Sequence, residues 1–361
     1  MRSEMSGQKS ARPGNGNRRA GEVRGQKSEV RSQKKRISSS VLCLLSSVFC
    51  LLNLSGCAPS FPKGHVEEAI VKICKKEYKI DVKAKTAGKT VAIYLPLPNL
   101  LDFNLAITKE AGDRINDVVL TVSRVTLSTD AKYDFYCIIA HDVRVPEVQI
   151  IVIKSVDDIK RFLLNDVSRG EYSKRMLVDM RLSPQAQKEG AVKEVFDKMK
   201  LDTEWQDQVM DDFFRSEPTA IGDIGYWNDR FYIKDITMPE FLAEQIAGRI
   251  RIDVREDKKF SEKIMLKSAK GVYVNKQGKK YFRIDVAASP DWLKGLGPAD
   301  VSSLIFELAT GVAIQVIHGY RFDDYDYVEI FSESDQKTVQ ILKEDLERIR
   351  TKKMKFEDVV K

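Results

Sequence analysis

The chain of 361 residues holds few of the side chains that metal and nucleophile chemistry usually requires. It has three histidines and five cysteines. No histidine stands in an HExxH pattern, no cysteine and histidine group has zinc-site spacing, and GxSxG is absent. The sequence therefore predicts neither a metal nor a cofactor, and the neighbours of His65, His141 and His318 indicate no role for them.

A long hydrophobic run is also missing. The longest nearly continuous apolar stretch, Val41–Leu54, is interrupted by Ser46, Ser47 and Asn53. As a helix of fourteen residues it would rise about 21 Å, whereas a hydrocarbon core is about 30 Å thick. The length suits the apolar part of a signal peptide better than a membrane span. The alternative is an uncleaved signal anchor.

The basic charge is concentrated at the start of the chain. The formal charge of the whole chain is +7, from 60 Lys or Arg and 53 Asp or Glu. Residues 1–56 carry eleven of those basic residues and only three of the acidic ones, so the remainder is nearly neutral. Bulk charge therefore gives no support for a nucleic-acid partner.

The apolar stretch has flanks that indicate export. Lys34–Arg36 precedes it, and Leu54–Cys57 reads Leu-Ser-Gly-Cys directly after it. This order resembles the signal peptide and lipobox of bacterial lipoproteins. The resemblance implies that residues 1–56, an N-terminal extension and signal peptide, are removed and that Cys57 is acylated. Two or three acyl chains anchor a protein stably to a membrane.

The resemblance also implies a location. In this class an Asp after the lipidated cysteine tends to retain the protein in the inner membrane, and here that residue is Ala58. We expect a lipid-anchored protein of the cell envelope, on the periplasmic face of the outer membrane if the host has two membranes. Its first partner would be membrane lipid, bound through acylated Cys57.

Two cysteines remain after Cys57, and two interpretations of them stay open. Cys74 lies on the apolar face of a predicted helix, and Cys137 lies in the predicted strand Tyr133–Ala140. Exported proteins meet oxidising conditions, so a disulfide between Cys74 and Cys137 is one interpretation. The other is two separate thiols buried as small apolar side chains.

The pattern of the mature chain repeats. A hairpin with Gly in its turn is followed by an amphipathic helix, a second strand pair and a closing helix, and this order occurs twice. The pattern predicts an α+β fold of two similar ββ-α-ββ-α units, with antiparallel hairpins and helices covering one face. A helical middle segment joins them. The predicted parts are residues 57–170, a helical and turn-rich connection at 171–238, and residues 239–361.

Other motifs are weak. Ala87–Thr90 has the last letters of a phosphate loop, but Lys83 replaces the first Gly and a strand follows, so a hairpin turn is predicted. Asp323, Asp324, Asp326 and Glu329 form an acidic cluster without EF-hand spacing, which indicates a solvated turn.

The most aromatic stretch gives a candidate binding surface. Rings and polar groups occur together there, as they do in protein interfaces and glycan sites. The alternative is a junction that buries the rings. The candidate residues are Tyr226, Trp227, Arg230 and Tyr232.

These observations predict a membrane-anchored, non-catalytic binding or assembly factor whose partner is another envelope protein. Sheet edges in the predicted hairpins would allow strand addition. One alternative is a cell-wall or glycan hydrolase that uses paired carboxylates such as Asp223 and Asp229. Another is a receptor that holds a small ligand between the two units, which a deep apolar cleft would favour.

Overall fold

The computed structural model describes residues 60–102, 106–183, 197, 221–222, 224–289 and 297–359. These lie in one compact unit, Pro59–Lys361. The fold is α+β, as predicted, and its elements form two repeats of one order. The predicted signal peptide and lipobox, and the helices predicted in the middle segment, lie outside the described residues.

The first repeat is a helix, a hairpin, a crossover helix, a second hairpin and two short helices, followed by a fifth strand. The helix α1 continues as a wider turn over Cys74–Tyr78. Its elements are α1 (Val66–Ile73), β1 (Lys83–Ala87), β2 (Thr90–Leu97), α2 (Lys109–Leu127), β3 (Phe135–Asp142), β4 (Val148–Ser155), α3 (Val156–Leu163), α4 (Arg169–Lys174) and β5 (Leu177–Leu182).

A small hairpin, β6 (Gly225–Trp227) and β7 (Arg230–Tyr232), precedes the second repeat. That repeat has the same order of elements, with a short extra helix after the first. Its elements are α5 (Met238–Glu256), α6 (Lys258–Ser261), β8 (Met265–Lys276), β9 (Lys279–Ser289), α7 (Pro298–Gly319), β10 (Tyr327–Ser332), β11 (Lys337–Leu342) and α8 (Lys343–Arg350).

Both sheets have the same pairing. In the first sheet β1 and β2 are antiparallel, β2 and β3 are parallel, and β3, β4 and β5 follow antiparallel. In the second sheet β8–β9 and β10–β11 are antiparallel and β9–β10 is parallel. The central pair is parallel because the crossover helix, α2 or α7, carries the chain back before the next strand begins.

Several predicted elements are confirmed. The amphipathic helix predicted in each repeat is present as α2 and α7, and so is the order of hairpin, helix and hairpin. The parallel central pairing was not expected. Within the predicted connection, Leu177–Leu182 is a strand of the first sheet, which the sequence pattern did not indicate.

The layers explain how the two repeats share one core. Helices α1, α2 and α3 cover one face of the first sheet. Helix α5 lies between the two sheets: the Phe241 ring is 5.0 Å from that of Phe135 on β3. On its other side, a Cβ at Gly271 of β8 would lie 2.0 Å from the Ala243 carbonyl oxygen. Gly271 therefore allows a close approach of strand to helix that a side chain would prevent.

The prediction that helices cover one face is confirmed for the second sheet only. The first sheet is covered on its second face as well, by α5, and every residue of β4 is buried. In the second sheet α5 and α7 pack on one face, and no described element covers the other.

Helix α7 is the one described helix long and apolar enough to cross a membrane. Its most apolar window has a mean hydropathy of 1.5 and is 61% buried within the fold. Packing against α5 and β10 is therefore sufficient to explain its apolar character.

Side chains of the second repeat bind to a buried ion pair of the first. The Arg175 guanidinium donates to Asp158 Oδ1 at 2.7 Å, with both side chains almost fully buried. From the second repeat, the Tyr320 hydroxyl donates to Asp158 Oδ2 at 2.6 Å and its ring lies under Arg175. The Arg249 side chain donates to Glu171 at 2.8 Å. These bonds fix α3 and α4 against α5 and the end of α7.

Candidate functional site

A cleft of about 1040 Å³ lies between the two repeats. Strand β5 forms one wall, the start of β8 forms the other, and α5 forms the floor. Its volume is at the upper end of the roughly 300–1,000 Å³ of typical ligand pockets. The site arises because α5 belongs to the second repeat but packs on the first sheet, which leaves β5 and β8 facing each other.

The apolar part of the described lining is entirely aliphatic. No aromatic ring, histidine or cysteine is among the described residues that line the cleft. Methionine is flexible and adapts its shape to what it contacts. The aliphatic residues are Ile151, Ile153, Met176, Leu177, Val178, Met180, Ile221, Ile224, Ile252, Val254, Ile264, Met265 and Leu266.

Gly248 keeps the floor open. It lies in the interior of α5, where Gly costs about 1 kcal/mol relative to Ala. A Cβ at this position would lie 3.9 Å from Leu177 Cδ2 and 3.6 Å from the Arg251 guanidinium, which are ordinary contacts. A side chain longer than Ala would therefore project into the cleft between Leu177 and Arg251.

The charged groups on the walls and floor are mostly paired. The Arg181 guanidinium is 2.6 Å from Asp179 Oδ2, and that of Arg251 is 2.6 Å from Glu244 Oε1. Burial raises the pKa of Asp179, and the charges of Arg181 and Arg251 oppose that rise. Paired in this way, the inner charges largely neutralise each other.

Three cations at the cleft are not paired. Lys174, Arg255 and Lys267 line the cleft and are exposed. In the described part of the chain none of the three side chains takes part in a hydrogen bond or an ion pair. The result is an aliphatic cleft with an excess of positive charge at its rim.

The predicted aromatic surface is divided between core and exterior. The Tyr226 ring is buried and stacks on Tyr94 with ring centroids 3.9 Å apart. Its hydroxyl accepts a hydrogen bond from Lys83 Nζ at 2.5 Å, and its backbone N–H and carbonyl both bond to the Gln149 amide. Tyr226 therefore attaches the β6–β7 hairpin to the first sheet.

The other three candidates of that surface are more accessible. Trp227 is half-buried, Arg230 is exposed and Tyr232 is 45% exposed. Between Arg230 and Tyr232, the Phe231 side chain turns inward, and its ring centroid lies 4.9 Å from that of Tyr226. The structure thus brings together only part of the predicted binding surface, and none of its four residues lines the cleft.

Of the two candidate carboxylates, Asp223 lies outside the described residues. Asp229 lies in the turn of the β6–β7 hairpin, 3.1 Å from Lys83 Nζ, with its side chain 89% exposed. The hydrogen bond from Lys83 lowers the pKa of Asp229. A glycosidase general acid needs a raised pKa instead, so this environment argues against that role for Asp229.

The two cysteines are free and buried. Cys74 packs with Ile70 and Val118 beneath the outer helices, whereas Cys137 packs with Phe135 on the opposite face of the first sheet. Because the sheet separates them, the structure favours two separate thiols over the disulfide. Burial raises the pKa of both thiols, which keeps them protonated.

The remaining motifs behave as turns. Gly88 has φ of +56° in the β1–β2 turn, as expected for a hairpin rather than a phosphate loop. In the acidic cluster, Asp324 pairs with Lys280 at 2.6 Å, and Asp326 accepts from the Lys280 backbone N–H. No group of metal-ligating side chains occurs among the residues described. Cys57 and Ala58 lie outside those residues.

No protein-family model, no curated protein and no solved structure matches this chain. The cleft is the feature of the fold that indicates a function. Sequence reasoning predicted a site between the repeats only in general terms and missed the residues that form it. One signal was available: Gly248 stands in the interior of α5, where Gly is unfavourable without a packing or functional reason.

Proposed function

We propose that the mature protein is a lipid-anchored, non-catalytic binding protein of the cell envelope whose binding site is the cleft between its repeats. The lipobox at Leu54–Cys57 supports the anchor and the location. The cleft supports the binding role, because it combines a ligand-sized volume with unpaired positive charge at its rim.

The charges of the cleft favour binding over catalysis. Asp179 and Glu244 are paired with arginines, which hold their positions and limit their use in proton transfer. Unpaired Lys174, Arg255 and Lys267 are exposed at the rim, where they would attract and orient an anionic partner. The observation that carries the proposal is this separation of paired inner charges from unpaired outer ones.

A photoreactive residue tests the site in the anchored protein. We expect p-benzoyl-phenylalanine at Val178, which lines the cleft and is 50% exposed, to form a discrete adduct in native membranes. The matched control is the same residue at Leu120 of α2, which is 52% exposed and lies outside the cleft. Equal labelling at both positions, or none at Val178, would contradict the proposal.

The anchor has a separate test. Cys57→Ser removes the only thiol in the lipobox, so we expect it to abolish incorporation of labelled palmitate and to release the protein from membranes. Cys74→Ser is the matched control, since Cys74 is buried in the fold. Retained label in the Cys57→Ser protein would contradict the lipoprotein assignment.

A second form of the function is an assembly factor that binds an extended segment of another envelope protein. It is favoured by the position of β5 and β8, each of which is the last strand of its sheet among the residues described. Such strands add a further strand through their backbone groups, and alternate side chains then select the partner. The Val178 adduct distinguishes the forms, because a protein partner gives a large shift in mass and a small ligand gives a small one.

A further inference from the structure

We infer that the cleft binds a single long aliphatic chain carrying an anionic headgroup, the chemistry of a fatty acid. The inference rests on the proposed function and names its ligand class. Two independent observations carry it: the kind of apolar side chain in the cleft and the position of the unpaired charge.

The lining selects an aliphatic chain over rings and sugars. Sugar-binding sites and protein interfaces usually contain the flat faces of Tyr and Trp, and the described lining of the cleft has no aromatic ring. Instead, Ile151 and Ile153 of β4 lie behind Leu177 of β5, and Met176 and Met265 lie on the two opposing walls. These branched and flexible side chains exclude water from a chain of methylenes without requiring one fixed ligand shape.

The charge at the rim selects an anion. A ligand that is apolar throughout would leave Lys174, Arg255 and Lys267 without a partner, whereas an anionic headgroup at the mouth would meet them. The inner arginines are neutralised by Asp179 and Glu244 and do not compete for that headgroup. Aliphatic side chains along the cleft and unpaired cations at its rim together match an amphiphile with its head at the surface.

Gly248 allows the cleft to be filled without breaking the helix. In Gly248→Phe the added ring would project from the floor toward Leu177 and occupy the space of the aliphatic chain. The matched control is Gly248→Ala, which adds only a Cβ at ordinary contact distances and raises helix propensity. Equal thermal midpoints for the two variants would establish that the fold is retained.

The rim is tested separately. The triple variant Lys174→Glu, Arg255→Glu, Lys267→Glu reverses the unpaired charge at the mouth. A control with the same change in net charge is Lys72→Glu, Lys109→Glu, Lys132→Glu, which alters exposed lysines outside the cleft. Because both variants change the total charge equally, a difference between them reports the position of the charge.

The probe is fluorescent hexadecanoic acid, titrated into the full chain in phosphatidylcholine nanodiscs. We expect saturable binding to wild type and Gly248→Ala, and a loss of at least tenfold in affinity for Gly248→Phe. The rim variant should bind about tenfold more weakly than its control, and a hexadecanol probe more weakly than the acid. Equal binding by Gly248→Phe and Gly248→Ala, or equal binding of acid and alcohol, would overturn the inference.

The two proposals fail in different ways. A Val178 adduct with an envelope protein, together with no saturable binding of the acid, would remove the fatty-acid inference and leave the binding function in place. An adduct with a two-chain phospholipid and no binding of the acid would also remove it. Absence of both the adduct and the acid binding would remove the two proposals together.

Discussion

The two sheets share one pairing of four strands and one register, but the same row of residues is apolar and buried in the first sheet and polar in the second, where exposure ranges from buried Glu329 to exposed Gln340. The row passes through the central parallel pair and the next strand, on the face away from each repeat's own helices. In the first sheet α5 covers it, and in the second no described element does. The matching residues are Ala92, Cys137 and Ile153 in the first sheet and Arg283, Glu329 and Gln340 in the second.

The second row is a hydrogen-bonded polar ladder. Gln340 donates to Glu329 Oε2 at 2.8 Å. The Arg283 guanidinium lies 3.5 Å from Glu329 Oε1 and also donates to Asp285 Oδ1 at 3.0 Å. Strand order and register therefore do not determine whether a helix packs on the second face of a sheet. The side chains on one alternating face of the sheet determine it, since buried polar groups need partners and exposed ones have water.

The largest effect should come from the ring at the start of each row. Phe135 and Tyr327 occupy matching positions, but Phe135 is 1% exposed. We expect Phe135→Ala to lower the free energy of unfolding by about 4 kcal/mol, because it leaves a cavity against Phe241. Tyr327→Ala loses mainly its stacking on Tyr281 and should cost about 1 kcal/mol. Urea denaturation of both variants checks this, and similar losses would show that the second face is covered too.

An exchange within the rows should give the next largest effect. Ile153→Gln places a polar amide at a position that is 5% exposed and should lower the free energy of unfolding by about 3 kcal/mol. The reciprocal change, Gln340→Ile, removes one part-buried hydrogen bond to Glu329, whose other oxygen stays near Arg283, and should cost no more than about 1 kcal/mol. The same denaturation measurement applies. A loss of less than 1 kcal/mol for Ile153→Gln would argue against burial of the first row.

The third prediction concerns the face under the outer helices. Lys154 of β4 is 3% exposed and matches Ile341 of β11, and burial lowers the pKa of Lys154 to about 7. Below pH 7 the lysine is charged in both states and the cost of burying that charge is present in full. As pH rises toward 10, the folded protein keeps Lys154 neutral while the unfolded chain still binds the proton, so wild-type stability rises through this window.

Lys154→Ile copies the second repeat and should therefore stabilise the protein by about 3 kcal/mol at pH 6. The attraction of the ammonium to the Tyr172 ring, about 1 kcal/mol, reduces the gain but does not cancel it. The gain should shrink to about 1 kcal/mol at pH 10. Unfolding free energies at the two pH values measure it, and a gain independent of pH would show that folding does not shift the pKa of Lys154.

The smallest effect should be chemical rather than energetic. Cys74 and Cys137 lie on opposite faces of the first sheet and are shielded from solvent, so neither should react with a thiol reagent in the native protein. Denaturation without reductant should expose two reactive thiols besides Cys57. A count of none would restore the disulfide and require the two faces to be closer than the structure places them.

Much of the fold was predictable because its periodicities are local. The apolar runs of β3 and β4, the helical spacing of valines in α2, and Gly88 in the first turn all appear in short windows of sequence. The strand β5 was not predicted, because Leu177–Leu182 carries Asp179 and Arg181 inside it and reads as polar. Those two residues lie on the same face of β5 and form an ion pair with each other. The sequence pattern did not predict that this pair would lie within a strand.

The candidate site was harder to predict than the fold. The surface predicted from Tyr226, Trp227, Arg230 and Tyr232 rested on composition alone. In the folded protein Tyr226 is buried and attaches the β6–β7 hairpin to the first sheet. The cleft residues are separated by long stretches of chain: Lys174, Gly248 and Lys267 come together only when α5 packs across the first sheet. A lone Gly in a helix and three scattered cations have no shared signature in the sequence.

By itself, the sequence determined the two repeats, their α+β class and an expected lipid anchor at Cys57, because each depends on neighbours within a few residues. The tertiary structure alone decided which sheet face is buried, that the thiols are separate, and that a cleft with a cationic rim lies between the repeats. These properties depend on which layer packs against which. That choice is made by side chains far apart in the chain, through burial and pairing of charge, and only the folded protein brings them together.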